Sequence, residues 1–524
     1  MSTSNTTVYG GDEINAIVLD PGSYHTRIGY AGDDFPKIIT PSYYGYFGED
    51  STNGDAHAKD TSEDGSGATA GDTTANSGLK DGDGETGETK PIPKSELKIN
   101  RSRKLIFGDS IDVPRPNFNV KPILKDSVIV DWDSAIQQYE HYFDNVLKVQ
   151  YPEQPILITE PIWSEPRYRQ RLIEGFYENF KFPALYLAKT PTCVSFQQGR
   201  PNCLIVDVGH DSVSITPVVD GISLLKHSVR THYGGQFLND QIEDLVLSKS
   251  ITVEPTYKVK TKTATIYPQD AVYTTKQFDG ITQSFEEYQK QRIWHEFKET
   301  VLEVPEKSLV APNIQQQTQL KEFYNQDSHK RLFEFPTGQS LELGIERYQI
   351  AESILDPSQV KFTQDKFHDK YPHENGELTL KNNYEEYRPI KRRKNESAQS
   401  TPLLTEPTKS KASNVRGLAQ LITYTLLTID IDLRASIAHN IIVTGGLSLM
   451  SQLTERLYNE LSNTNPGLKI RLHAVGNSTE RFNQAWIGGS VLASLGTFHQ
   501  MWVSKEEYEE VGPDRILNQR FRWR

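Results

Sequence analysis

Residues 16–34, AIVLDPGSYHTRIGYAGDD, and residues 203–215, CLIVDVGHDSVSI, follow one pattern. Each opens with a short apolar run, Ala16-Ile17-Val18-Leu19 in the first and Cys203-Leu204-Ile205-Val206 in the second. Such runs predict strands buried on both faces. Each run ends in an aspartate, Asp20 or Asp207, that heads a glycine-containing turn. The turns are Asp20-Pro21-Gly22-Ser23 and Asp207-Val208-Gly209-His210-Asp211. A second strand pattern follows each, Arg27 to Ala31 and Ser212 to Ile215. The aspartates stand 187 positions apart, which predicts a duplicated half-fold.

Two further glycine elements extend the pattern. Ile441-Ile442-Val443-Thr444 runs into Gly445-Gly446, with helical spacing from Leu453 to Leu461. Ala485-Trp486-Ile487-Gly488-Gly489-Ser490 opens an amphipathic run through Leu495. Helical patterns at Ser134–Val149 and Arg167–Phe180 flank a strand pattern at Pro155–Thr159. Strands and helices interleave, so the fold class is α/β.

The 524 residues carry 57 basic and 69 acidic side chains, a net charge of −12, and only 36% hydrophobic residues. Much of the imbalance is local. Glu49–Lys90 holds 11 acids, 3 lysines and 8 glycines, with Leu79 as its sole large apolar residue. That composition predicts a disordered insert. Lys391–Lys411 is a basic counterpart with a net charge of +4. Its cluster Lys391-Arg392-Arg393-Lys394 is either a nuclear import signal or a solvated charge run. The overall balance excludes a generally basic nucleic-acid binder. Two cysteines without paired spacing, Cys193 and Cys203, exclude a disulfide framework and a cysteine zinc site, and are expected to be buried. No apolar run approaches the ~18–20 residues of a membrane span. The polar stretch Met1–Thr7 has no signal-peptide core, so a soluble intracellular protein is expected.

Two aspartate-headed turns facing each other can cradle a phosphate chain with their backbone N–H groups. Asp20 and Asp207 would hold Mg²⁺ or Ca²⁺ through water, and Gly445-Gly446 would let a nucleoside approach the backbone. One such turn alone is better read as an ordinary tight turn. The repeat and the glycine pair together bring nucleotide binding level with that reading.

The segment Val18–Ser23, continued to Gly29-Tyr30-Ala31-Gly32-Asp33-Asp34, resembles the first phosphate loop of actin. WIGGSVLASLGTFHQMWVSKEEYEEVGP, Trp486–Pro513, is nearly actin's own C-terminal sequence. Thr159-Glu160-Pro161, Val130-Asp131-Trp132-Asp133, Gly344–Tyr348 and Asp430–Arg434 also match. The chain is therefore identified as a member of the actin family. Val8–Glu13, Gly199–Cys203, Val208–Asp211 and the positions of the inserts are similar to its nuclear, fungal branch.

The resemblance implies the duplicated fold shared with hexokinase and the heat-shock ATPases, with four subdomains around a nucleotide cleft. Residues 1–41, 122–197 and 485–524 would form subdomain 1, and 42–121 subdomain 2 with the acidic insert. Residues 198–233 and 363–484 would form subdomain 3 with the basic insert, and 234–362 subdomain 4. It also implies ATP with Mg²⁺ or Ca²⁺, a nuclear location, and a non-enzymatic role in chromatin-remodelling and histone acetyltransferase complexes. Expected partners are actin, a long helix of a motor or scaffold subunit, and other complex subunits, with histones a candidate for the acid-rich insert on charge alone. No membrane association and no homopolymer are expected. The competing reading is a filament-forming cytoskeletal ATPase. A kinase or chaperone on the same core is disfavoured by the C-terminal block.

Departures from actin bear on the site. Gly22, Ser23 and Gly209 keep the phosphate turns, but Arg27 replaces the phosphate-binding lysine and Tyr24 replaces a glycine. His210-Asp211 occupies actin's Asp-Gly position, placing a carboxylate where backbone should meet phosphate. Thr190 and Ser214 fall at the positions of the Gln and His that orient the attacking water, so ATP binding with negligible hydrolysis is expected. Lys298-Glu299 sits at the ribose and adenine. Met450 replaces an aromatic near the base, and Phe482 replaces a lysine and would either stack on adenine or join the core.

Overall fold

A computed structural model describes residues 15–48, 103–311, 313–368, 370–371, 416–474 and 476–521. The acidic segment 49–90 and the basic segment 391–411, with Lys391–Lys394, lie outside the described residues.

The first apolar run forms strand β1 (Ile17–Pro21), buried at all five positions. It pairs antiparallel with β2 (His25–Tyr30), which continues antiparallel into β3 (Ile38–Pro41). On its other edge β1 runs parallel to β4 (Ile156–Glu160), and β4 runs parallel to β5 (Ala184–Lys189). Val503–Ser504 closes that edge of the sheet antiparallel.

The second apolar run forms β6 (Cys203–Val208), antiparallel to β7 (Val213–Val219), which pairs with β8 (Val229–Thr231). β6 runs parallel to β9 (Ile441–Thr444), and β9 to β10 (Leu472–His473). The orders β3-β2-β1-β4-β5 and β8-β7-β6-β9-β10 are the same path walked twice. Register repeats too. Asp20 stands opposite Arg27, and Asp207 opposite Ser214. The duplication predicted from two turns thus extends over five strands of each sheet.

Each sheet has its own apolar core. A smaller cluster of Val194, Cys203, Ile205, Val218 and Ile442 lies where the halves meet. Both cysteines are buried and free. Helix α1 (Thr190–Gln197) lies in that seam, and two more helices, α2 (Gly235–Ser248) and α3 (Gln283–Val301), build the second half. A fourth, α4 (Gln484–Ser494), packs on α1 and on β1. A Cβ on Gly488 would lie 1.9 Å from the Cys193 carbonyl oxygen, so only glycine permits this approach. Fully buried Trp486 donates its indole N–H to the Val18 carbonyl at 3.0 Å.

Two smaller lobes face each other above the cleft. Tyr43–Phe47 pairs with Leu105–Ile106 and Phe118–Pro122 on one side, and the strands between Val259 and Leu343 lie on the other. They touch through Phe118 against Phe285 at the start of α3, and through the Asn117 N–H donated to the Gly280 carbonyl at 2.7 Å. Thr282 caps α3 by accepting the Phe285 N–H.

Candidate nucleotide cleft

One cavity of about 1290 Å³ lies between the two sheets. Every cleft residue expected from the sequence, from Asp20 to Phe482, lines it.

The two aspartates form its floor. Asp20 accepts from Thr159 Oγ1, and its Oδ2 pairs with Arg27 Nη1 at 3.1 Å. Among the described residues Asp207 has no such partner. Burial, then the neighbouring Asp20 charge, push its carboxyl up to about 6. Gly445 is placed at φ +89, where a Cβ would come within 2.5 Å of Asp207 Oδ1. Two carboxylates sharing one arginine leave negative charge uncompensated in a low-dielectric site. A divalent cation held through water fits that need.

Arg27 has further partners. Besides Asp20 it donates from Nε to Asn483 Oδ1 at 2.7 Å, and its guanidinium sits 4.4 Å from the Phe482 ring. Phe482 is half-buried beneath Arg27, so its role here is a cation–π contact joining the two halves.

The turn Lys125–Val128, between the short strands Leu124–Lys125 and Val128–Ile129, bridges both aspartate-headed turns. Ser23 Oγ accepts the Ser127 N–H at 2.7 Å, and Asp211 Oδ2 accepts the Asp126 N–H at 2.8 Å. Trp163 Nε1 donates to the Asp126 carbonyl at 2.8 Å. The carboxylate of Asp211, which would repel phosphate, is thus turned toward this hairpin and toward Ser23. Burial still raises its pKa.

Tyr24 projects across the cleft. Its ring stacks on His295 of α3 at 4.4 Å and lies 4.7 Å from both His210 and His25. Burial pushes the Tyr24 hydroxyl up to about 12 and His25 down to about 3, and holds His210 well below its ordinary value. On the nucleoside side, buried Lys298 donates to the Gly235 carbonyl at 3.3 Å, and its amine is lowered to about 8 by burial. Glu299 is hydrogen-bonded to His295 at 3.1 Å, which lowers its pKa. Met450 lines the same side.

At the two water-orienting positions, Thr190 Oγ1 donates to the Glu160 carbonyl at 3.1 Å, and Ser214 is buried in β7. Behind Thr190 lies a buried charge cluster. The Glu160 carboxylate meets Lys189 at 3.1 Å and Arg169 at 2.9 Å, and burial lowers Lys189 to about 8.

Sequence reasoning missed His25, His295, Asn483 and the Asp126–Ser127 turn. His295 carried a usable signal, because it sits one helical turn before Lys298 and shares its face. The turn carried none, since its partners Ser23 and Asp211 are 104 and 85 positions away.

The family described as Actin matches residues 11–522. Similar proteins named Actin-related protein 4 occur in several fungi. The Debaryomyces hansenii protein is 62% identical over 99% of this chain and 99% of its own. That of Candida albicans is 56% identical over 99% of this chain and 100% of its own. That of Saccharomyces cerevisiae is 34% identical over the full length of both. With a duplicated pair of sheets, facing aspartate turns and a family match across nearly its whole length, the chain belongs to the actin family.

Proposed function

We propose that this chain is a nuclear, non-polymerising structural subunit of chromatin-remodelling and histone acetyltransferase complexes. It holds ATP with Mg²⁺ or Ca²⁺, hydrolyses it negligibly, and pairs with actin on a long helix of a motor or scaffold subunit. The observation that carries this reading is the state of the two water-orienting positions. Both hold short hydroxyl side chains, and that of Thr190 is spent on the Glu160 carbonyl. Neither does the job of a Gln or a His over the same reach in aligning a water for in-line attack.

Asp20 and Asp207 would hold the cation, and Lys298, Glu299, Gly445 and Gly446 would enclose the nucleoside. When bound, the cation would supply positive charge between the two carboxylates and the phosphates. The residues of the chain bind, exclude water and keep the halves together.

A set of exposed apolar side chains supports the partner helix. Phe196 of α1, Ile222, Val491 of α4, Leu495 just after it, and Met501 are exposed on elements that pack together. An amphipathic helix would cover them. Among the described residues no helix is long and apolar enough to cross a membrane.

Purified protein tests the reading by ATP turnover, sedimentation and identification of stably co-purifying partners. Bound ATP with no turnover, no pellet and chromatin-complex partners is expected. Actin-like turnover with sedimenting filaments would replace it with the cytoskeletal ATPase. Changing Lys391, Arg392, Arg393 and Lys394 to Ala should reduce nuclear accumulation. A fully nuclear variant in cells lacking its partners would refute the signal.

A further inference from the structure

One face of α3 lies along the upper wall of the cleft. Phe285, Tyr288, Arg292 and His295 recur every three or four residues, so their side chains share that face. Each of the four meets the first half of the molecule. Phe285 packs on Phe118, and Tyr288 on Tyr43 with ring centres 5.1 Å apart. Arg292 Nη1 pairs with Asp112 Oδ1 at 2.8 Å, and His295 stacks on Tyr24.

Hydrogen bonds continue this seam past the start of the helix. The Asn117 N–H reaches the Gly280 carbonyl, and Thr282 Oγ1 donates to the Phe118 carbonyl. Ser284 Oγ accepts the Val120 N–H at 3.3 Å and donates to Asn119 Oδ1 at 3.0 Å. The seam also has a dry centre. Ile111, Phe118 and Phe285 are fully buried and form with Val120 an apolar cluster separate from the cores of both sheets. Segments that open easily carry few buried apolar contacts, and this seam carries a cluster of its own. Asp112, Tyr288 and Arg292 line the cavity that also holds Asp20, Asp207 and Lys298, so the seam roofs that cavity.

We propose that this seam is a latch: a nucleotide leaves the cleft only when α3 parts from the lobe of the first half, and the latch, rather than the contacts of the site, sets how long the nucleotide stays. This inference rests on the nucleotide reading of the cleft. The parts of the latch do different work. The Phe118–Phe285 cluster supplies most of the resistance, because its apolar area must enter water on opening. The partly exposed Arg292–Asp112 pair adds less strength and fixes which groups meet when the seam closes.

Release of etheno-ATP, preloaded with Mg²⁺ on the full chain and chased with excess ATP, provides the test. Phe285→Ala should speed release about tenfold or more, and Phe285→Leu, which keeps most of the apolar bulk, should do so far less. Arg292→Glu sets two carboxylates against each other and should speed release about fivefold. Adding Asp112→Arg to it reverses the pair and should restore slow release. Both positions are partly exposed, so these variants keep the fold. Amide exchange at Asn117 and Val120, whose N–H groups cross the seam, should rise in step with release. Equal release rates in wild type, Phe285→Ala and Arg292→Glu would overturn the latch while leaving nucleotide binding intact. Faster release with unchanged exchange at those amides, or without rescue by the reversed pair, would place the effect in direct site contacts and overturn it equally. A wild-type chain that takes up no etheno-ATP would remove the nucleotide reading and this inference with it.

Discussion

Replacing Asp207 with Asn should stabilise the nucleotide-free protein at neutral pH while destroying its response to cations. In the folded chain the carboxyl is pushed up to about 6 from 3.8 by burial and by Asp20. An acid with a raised folded pKa binds its proton more tightly folded than unfolded. Stability therefore falls as pH rises from about 4 to about 6, and the full penalty persists above that. A shift of that size is worth about 3 kcal/mol for a fully enclosed group. Water reaching the partly open side chain reduces the penalty to about 2 kcal/mol. Asn keeps the shape and removes the charge. Denaturant unfolding of wild type and variant, stripped of nucleotide and metal, should show the variant more stable at pH 7.5. The advantage should shrink toward zero at pH 4.5. Adding Mg²⁺ with ATP should raise the wild type far more than the variant. A variant no more stable than wild type at pH 7.5, or an advantage unchanged at pH 4.5, would refute the charge argument.

Three further outcomes follow from packing. Gly488→Ala forces a methyl into the Cys193 carbonyl and should cost about 1–3 kcal/mol, read as a lower denaturation midpoint. Glu160→Ala strands Lys189 and Arg169 in a buried site and should cost about 3–5 kcal/mol, whereas a surface pair such as Lys262–Glu334 should be nearly silent. Leu495→Asp combined with Met501→Asp lies on exposed positions, so the denaturation midpoint should hold while the partner helix no longer co-purifies. Unimpaired co-purification would remove these side chains from the proposed interface.

Much of the fold was legible because its signals are local. An apolar run closed by aspartate and glycine specifies a buried strand and its turn within about ten residues, and the pattern occurs twice. β1 and β6 lie where those runs predict, whereas the position of Gly445 beside Asp207 emerges only in the structure. Two helical readings were coarser. The run from Ser134 is helical only to Tyr142 before widening into a π turn, and that from Arg167 does the same after Glu174. Periodicity does not distinguish a 3.6-residue turn from a slightly wider one.

By itself the sequence determined the α/β class, the duplication, the aspartate heading each turn and the short side chains at Thr190 and Ser214. Each is a property of residue type and near-neighbour spacing. Only the tertiary structure decided what those residues touch. Arg27 reaches Asn483 across 456 positions, the Asp126–Ser127 turn engages Ser23 and Asp211, and Tyr24 meets His295 of another lobe. Such contacts arise from how two sheets and two smaller lobes pack. Packing is set by buried area summed over the whole chain, so no local pattern encodes which polar groups meet across the cleft.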